Sequence, residues 1–120
     1  LVDTLSGGTV SGNTASGNTS DGFSINTLSG GTFSGNTASG NGFDGFSINT
    51  LSGGTVSGNT ASGNTFDGFF INIFSPANTA TFMSNEALYN TLRGYDIGSG
   101  TPSVGAGTNT GSGNGSNDTF

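Results

Sequence analysis

The sequence predicts an all-β fold, a parallel β-solenoid of about five coils, and three observations support this prediction. A unit of roughly 23 residues repeats along the chain. Apolar residues recur at fixed positions of the unit between polar neighbours, as in half-buried strands. Gly and Asn recur between these segments, where a chain turns. Because one unit has too few apolar side chains to bury its own faces, stacking of the units must supply the core.

The first three copies of the repeat are nearly identical. Residues 3–18 recur as residues 26–41 and again as residues 49–64, with a step of 23 residues each time. A fourth copy, residues 81–97, matches residues 55–71 after a step of 26, because its connecting segment is three residues longer. We therefore expect residues 1–97 to form solenoid coils with steps of 23, 23 and 26.

The remaining segment, residues 98–120, has two interpretations. Residues 109–114 (NTGSGN) echo residues 59–64 (NTASGN), and Phe120 falls at the phase of Phe70. These matches predict a degenerate fifth coil. The alternative is a flexible tail, because the segment is rich in Gly and Ser.

Equivalent residues of stacked coils should form columns with a spacing of about 4.8 Å per coil. Four apolar columns are predicted to fill the interior. They are Val10/Phe33/Val56/Phe82, Ala15/Ala38/Ala61/Ala87, Phe23/Phe46/Phe69/Tyr95 and Ile25/Ile48/Ile71/Ile97. A fifth apolar column, Leu5/Leu28/Leu51, is expected to continue to Phe74.

Two further columns consist of Asn at the corners between strands. Asn tolerates the left-handed turn conformation, and stacked amides can hydrogen-bond along the axis as a ladder. The alternative role is glycan attachment, but only Asn18, Asn114 and Asn117 have the acceptor pattern. The ladder is preferred because it applies to every coil. Its members are Asn13, Asn36, Asn59, Asn85 and Asn109 in one column, and Asn18, Asn41, Asn64, Asn90 and Asn114 in the other.

These motifs resemble those of known repeat proteins. The run from residue 57 to residue 71, SGNTASGNTFDGFFI, is similar to the right-handed parallel β-helix repeat of bacterial surface proteins and pectate-lyase-like folds. Gly53-Gly54 and the Phe-x-x-Asn segments at residues 33–36 and 82–85 resemble motifs of chlamydial polymorphic outer-membrane proteins and related adhesins. The resemblance implies a right-handed solenoid in an extracellular or cell-surface protein. The resemblance does not predict a particular activity, because proteins with such folds include enzymes, adhesins and fibres.

Composition narrows the function classes. Net charge is −6, with Arg93 as the one base and no Lys or His, so nucleic acid and anionic membrane surfaces are disfavoured partners. No apolar run is long enough for a transmembrane helix. The chain lacks Cys, so thiolate metal sites are excluded. We expect no cofactor.

The acidic column Asp21/Asp44/Asp67 is the one candidate for site chemistry. A glycosidase needs two carboxylates in one catalytic cleft. These Asp residues instead lie at a corner that repeats in successive coils, which argues against a single catalytic site. The chain also has no His or Lys to act as a base. We therefore predict that the chain is not an enzyme. Calcium could bridge the three carboxylates, since it prefers hard oxygen ligands. The favoured interpretation is a solvated corner with an exposed ion pair to Arg93 and no bound metal.

A structural role fits most of these features. Leu1 and Phe120 lie at the same phase of the coil, and neither end carries polar caps. We expect head-to-tail stacking of copies into a filament through Leu1, Val2 and Asp3 at one end and Asp118, Thr119 and Phe120 at the other. A segment cut from a longer repeat chain would show the same pattern. The alternative function is an adhesin or a carbohydrate- or ice-binding module that uses the Thr- and Ser-lined faces, with polysaccharide as the partner.

Overall fold

A computed structural model describes residues 1–74, 80–99 and 109–116, and every regular element in these ranges is a β-strand. The strands form four complete coils and two strands of a further coil, slightly fewer than the five coils predicted. In chain order they are β1 (Val2–Ser6), β2 (Thr9–Ser11), β3 (Thr14–Ser16), β4 (Phe23–Ser29), β5 (Thr32–Ser34), β6 (Thr37–Ser39), β7 (Phe46–Ser52), β8 (Gly54–Ser57), β9 (Thr60–Ser62), β10 (Phe69–Phe74), β11 (Ala80–Met83), β12 (Glu86–Leu88), β13 (Tyr95–Ser99) and β14 (Thr110–Ser112).

Three parallel sheets run along the solenoid. The first sheet has the order β1-β4-β7-β10-β13, the second β2-β5-β8-β11, and the third β3-β6-β9-β12-β14. Each strand pairs with its equivalent one repeat away, in the register that the repeat predicts. This arrangement confirms the parallel β-solenoid.

The predicted apolar columns form the core. Phe46 and Phe69 stack with ring centroids 4.7 Å apart, and Phe69 stacks on Tyr95 at 5.1 Å. The edges of these rings contact Phe33 and Phe82 in the facing second sheet. The isoleucine, alanine and leucine columns also keep the predicted register, and their members in the central coils are buried.

The corners turn on Gly rather than on Asn. Gly35 and Gly58 have φ values of 61° and 62°, in the left-handed region that Gly adopts without a steric penalty. The ladder Asn residues follow such positions, and none in the described ranges has a positive φ. The prediction that Asn itself takes the left-handed conformation is therefore wrong. In the fourth coil the Gly positions are occupied by Ser84 and Tyr89, which keep φ values of 56° and 55°.

Replacing Ser84 with Gly is expected to stabilise the chain by about 0.5–1 kcal/mol. Relief of the left-handed strain, about 1–2 kcal/mol, should exceed the extra chain entropy that Gly loses on folding. Urea unfolding measures the change. Ser57→Gly, in strand β8, is the control and should destabilise the protein. A loss of stability in Ser84→Gly as large as that in Ser57→Gly would contradict this account.

Candidate functional site

The Asn corners form hydrogen-bonded ladders, as Asn59 illustrates. The Asn59 main-chain N and side-chain Nδ2 both donate to Asn85 Oδ1, at 3.0 and 2.9 Å. Nδ2 also donates to Phe33 O at 3.0 Å. Asn59 Oδ1 in turn accepts from Asn36 N at 2.9 Å and from Asn36 Nδ2 at 3.1 Å. The fully buried amide therefore uses both of its protons and both of its lone pairs.

Both predicted ladders repeat this pattern at every step, with N···Oδ1 distances of 2.8–3.1 Å. The Asn-to-Asn hydrogen bonds run in one direction, because the main-chain N–H and one side-chain N–H of each Asn donate to the amide oxygen of the Asn in the next coil. The second side-chain proton donates to a main-chain oxygen, which in the second and later coils belongs to the preceding coil. Within the part of the chain that the structure describes, no buried side-chain nitrogen or oxygen lacks a hydrogen-bond partner. The Asn ladder prediction is confirmed.

Two of the three glycosylation candidates belong to these ladders. Asn18 Nδ2 donates to Asn41 Oδ1 at 2.9 Å, and Asn114 Nδ2 donates to Ala87 O at 2.9 Å. The nitrogen that would carry a glycan is thus engaged in each case. Asn117 lies outside the described residues, and glycosylation stays a prediction.

The acidic column is also a ladder, but of a different kind. Asp21 Oδ1 accepts the main-chain N–H of Asp44 at 3.2 Å, and Asp44 Oδ1 accepts that of Asp67 at 2.9 Å. Asp67 Oδ1 accepts the main-chain N–H of Arg93 at 2.9 Å. Asp67 is only 6% exposed, so the predicted solvated corner is wrong at this coil. The Arg93 guanidinium contacts the Asp96 carboxylate.

Stability should depend on the protonation of Asp44. Burial raises the pKa of Asp44 from 3.8 to about 6; the carboxylates of Asp67, Asp21 and Asp96 add to this effect, and the Asp67 N–H opposes it. Because the folded pKa exceeds the unfolded one, the stabilisation is complete below about pH 4 and is lost as pH rises through 6. We expect the free energy of unfolding to fall by about 1 kcal/mol across this range, a value reduced for solvent screening.

Urea unfolding at several pH values between 4 and 7 measures this dependence. The Asp44→Asn variant is the matched control, since its side chain keeps the acceptor oxygen and does not titrate. Its stability should fall less between pH 4 and pH 7. Equal slopes in the two proteins would contradict the assignment to Asp44.

The Gly that follows each Asp is required by close packing. A Cβ built on Gly68 would lie 2.7 Å from Gly94 O and 2.8 Å from Asn90 Nδ2, both parts of the adjacent coil. A Cβ built on Gly45 would likewise lie 2.7 Å from Gly68 O and 2.8 Å from Asn64 Nδ2. The repeated Asp-Gly pair therefore lets the corner approach the Asn ladder.

Sequence reasoning missed a third Asn ladder, on the exposed face of the first sheet. Asn72 Nδ2 donates to Asn49 Oδ1 at 2.8 Å, Asn49 Nδ2 to Asn26 Oδ1 at 3.1 Å, and Asn26 Nδ2 to Asp3 Oδ1 at 3.2 Å. The signal was present, because these residues are also 23 apart. Its polarity is opposite to that of the buried ladders.

Exposed apolar side chains at one corner were also missed. Phe43 and Phe66 are 50% and 38% exposed, and their rings stack with centroids 5.0 Å apart. Leu92 holds the equivalent position in the next coil and is 47% exposed. A shallow, open depression lies beside it, lined by Thr91, Leu92, Arg93, Gly115 and Ser116.

The described ranges contain no group of three or more Asp, Glu, His or Cys side chains arranged to hold a metal ion. In the same ranges no helix has the length and apolarity needed to span a membrane.

The fold and ladders define the chain as a β-solenoid protein. A family model described as "Right handed beta helix region" matches residues 2–117, and the chain belongs to this family. No curated protein and no solved structure was found to match. Family membership fixes the fold and leaves the activity open, because β-helix proteins include structural and binding proteins and also enzymes.

Proposed function

We propose that the chain is a structural segment of a β-helical rod, in an extracellular filament or at a cell surface. The observation that carries this proposal is the continuity of the two buried Asn ladders. They pass from Asn13 to Asn109 and from Asn18 to Asn114 at every step. Each coil therefore joins the next by the same contacts, and coils can be added without a new kind of interface.

The distribution of charge favours a structural role over catalysis. The three carboxylates of the Asp column accept main-chain N–H groups of the next coil, so each already has a structural partner. The same corner recurs in successive coils, whereas a catalytic site is a single constellation of unlike groups. We therefore propose a non-enzymatic function.

Electron microscopy of the native particle that contains this chain tests the rod. We expect an elongated particle of constant width whose diffraction contains a reflection near 4.8 Å along the long axis, the spacing of stacked strands. A compact particle without axial 4.8 Å order would contradict the proposal.

A second candidate function is adhesion through the hydroxyl faces. The parallel register places Thr9, Thr32 and Thr55 in one rank of the second sheet, next to a similar rank of Ser. Such regular hydroxyl ranks suit a polysaccharide or an ice surface. Pull-down on insoluble polysaccharides and thermal hysteresis measure the two activities, and the Thr32→Val/Thr55→Val variant should lose whichever is present. Inactivity of the unmodified protein in both assays would exclude this function.

A further inference from the structure

Exposed apolar side chains line the corner that joins the third sheet to the first. Phe43, Phe66 and Leu92 hold equivalent positions in successive coils and are 50%, 38% and 47% exposed. The rings of Phe43 and Phe66 stack with an interplanar angle of 6°. A described coil lies on each side of these residues along the axis, so their exposed surface faces radially outwards. We call these three side chains the corner patch.

The corner turns without an apolar side chain at this position. In the first coil the equivalent residue is Ser20. The main-chain N–H of Phe43 donates to Ser20 O at 3.3 Å, and that of Phe66 donates to Phe43 O at the same distance. The backbone therefore makes the same contact with Ser or with Phe. Because the fold does not require the exposed rings, they indicate a contact surface.

A strained aromatic residue adjoins the corner patch in the fourth coil. Tyr89, three residues before Leu92, has a φ of 55°, where the adjacent coils have Gly63 and Gly113. This conformation is uncommon for a bulky side chain. The Tyr89 side chain is 69% exposed, so burial offsets little of the strain. Backbone strain of this kind clusters at ligand-binding sites, which gives a second indication of a contact surface here.

The charge beside the corner patch is negative. Burial and the carboxylates of Asp67, Asp21 and Asp96 raise the pKa of Asp44 to about 6, so four acidic groups lie near one another at this corner. The one base of the chain, Arg93, contacts Asp96. Above the pKa of Asp44 the corner therefore carries excess negative charge beside its exposed rings.

We propose that the corner patch binds an arginine-containing segment of another protein. A guanidinium group stacks on aromatic faces and pairs with carboxylates, and this corner presents both. The Phe43 ring offers such a face towards the first coil, where the equivalent residue is Ser20. A second copy of the chain is a poor occupant, because patch-to-patch contact would bring like charges together. The contact is lateral, so it is separate from the stacking of coils along the proposed rod.

NMR titration of the complete chain with a blocked peptide of alternating Arg and Gly tests the proposal. The titration is run at about pH 7.5, where the Asp44 carboxylate is ionised. The signals of Phe43, Phe66 and Leu92 should shift saturably, whereas those of the second sheet should stay in place. A peptide of the same length with Glu in place of Arg is the control for charge and should cause no shift.

Two double variants test the role of the rings. Phe43→Ser/Phe66→Ser introduces the residue that the first coil already carries, and it should weaken binding at least about fivefold because both rings are lost. Phe43→Tyr/Phe66→Tyr keeps the rings and should bind like the unmodified chain. Unchanged amide signals of the second sheet verify that each variant is folded.

A matched pair of single variants tests the role of charge. Asp44→Asn keeps the acceptor oxygen and removes one negative charge beside the corner patch, so it should weaken binding about two- to fivefold. Asp3→Asn removes the same charge from the outer face of the first sheet, where Asp3 accepts from Asn26. Its effect should be smaller. Equal effects of the two variants would show that only the net charge of the chain attracts the peptide, and would overturn the proposal.

Other outcomes would also overturn the proposal. One is the absence of a saturable shift at millimolar peptide, and another is unchanged affinity in the folded Phe43→Ser/Phe66→Ser variant. Equal binding of the Glu peptide would assign the corner patch to an uncharged or apolar ligand. Shifts of the patch signals with protein concentration alone would assign it to a second copy of the chain. None of these results bears on the rod, which is tested by its axial strand spacing.

Discussion

Replacing Phe69 with Ala is expected to lower the free energy of unfolding by about 4 kcal/mol, in the range measured for buried aromatic truncations. Phe69 is fully buried between the rings of Phe46 and Tyr95, and its edge meets Phe82 at a centroid distance of 5.7 Å. Parallel strand pairing fixes the coil spacing, so the neighbouring rings cannot close the cavity. Urea or thermal unfolding measures the loss.

The matched control for this prediction is Phe66→Ala, three residues earlier. Phe66 is 38% exposed and stacks on Phe43 at a corner. Its truncation removes less buried area than that of Phe69 and leaves no enclosed cavity, so we expect a loss of about 1–2 kcal/mol. Equal losses in the two variants would show that the phenylalanine column is not the core of the solenoid.

Replacing Asn59 with Ala is expected to cost about 3 kcal/mol. The side chain donates one hydrogen bond to Asn85 Oδ1 and one to Phe33 O, and it accepts two from Asn36; all four are buried. Its removal leaves the main-chain N–H of Asn36 and an amide proton of the same residue without their acceptor. Leaving a buried polar group without its partner lowers the free energy of unfolding by more than the average contribution of one hydrogen bond.

The Asn49→Ala variant is the control for the buried ladder. Asn49 also belongs to a hydrogen-bonded Asn column, but it lies on the exposed face of the first sheet, where water replaces the lost partners. We expect a loss below about 0.5 kcal/mol, as at other surface positions. A neutral Asn59→Ala variant would contradict the structural role of the ladder.

Much of the fold was predictable because the repeat is nearly exact. A step of 23 residues makes the register of neighbouring strands readable by counting, and alternation identifies the inward side chains. Column positions such as Ile25, Ile48 and Ile71 were therefore assigned correctly. The number of coils was less predictable, because residues 98–120 keep little of the apolar pattern by which the earlier coils are recognised.

The corners were harder to predict, because their residues are placed by three-dimensional contacts. Composition favours exposure for Asp, yet Asp67 is buried because its carboxylate accepts the Arg93 N–H of the adjacent coil. Phase alone paired Arg93 with Asp67, whereas the guanidinium contacts Asp96, three residues along the same coil. The Gly residues between strands were interpreted only as turn residues, whereas the close approach of the next coil requires Gly at position 68.

Hydrogen exchange of the Asn side-chain amides, followed by NMR, tests most directly the claim that buried ladders join the coils. The Nδ2 protons of Asn59 should exchange slowly, because both are bonded inside the solenoid. Those of Asn49 should exchange rapidly from the exposed face of the first sheet. The account predicts this contrast within one protein under one set of conditions. Exchange at Asn59 as fast as that at Asn49 would contradict it.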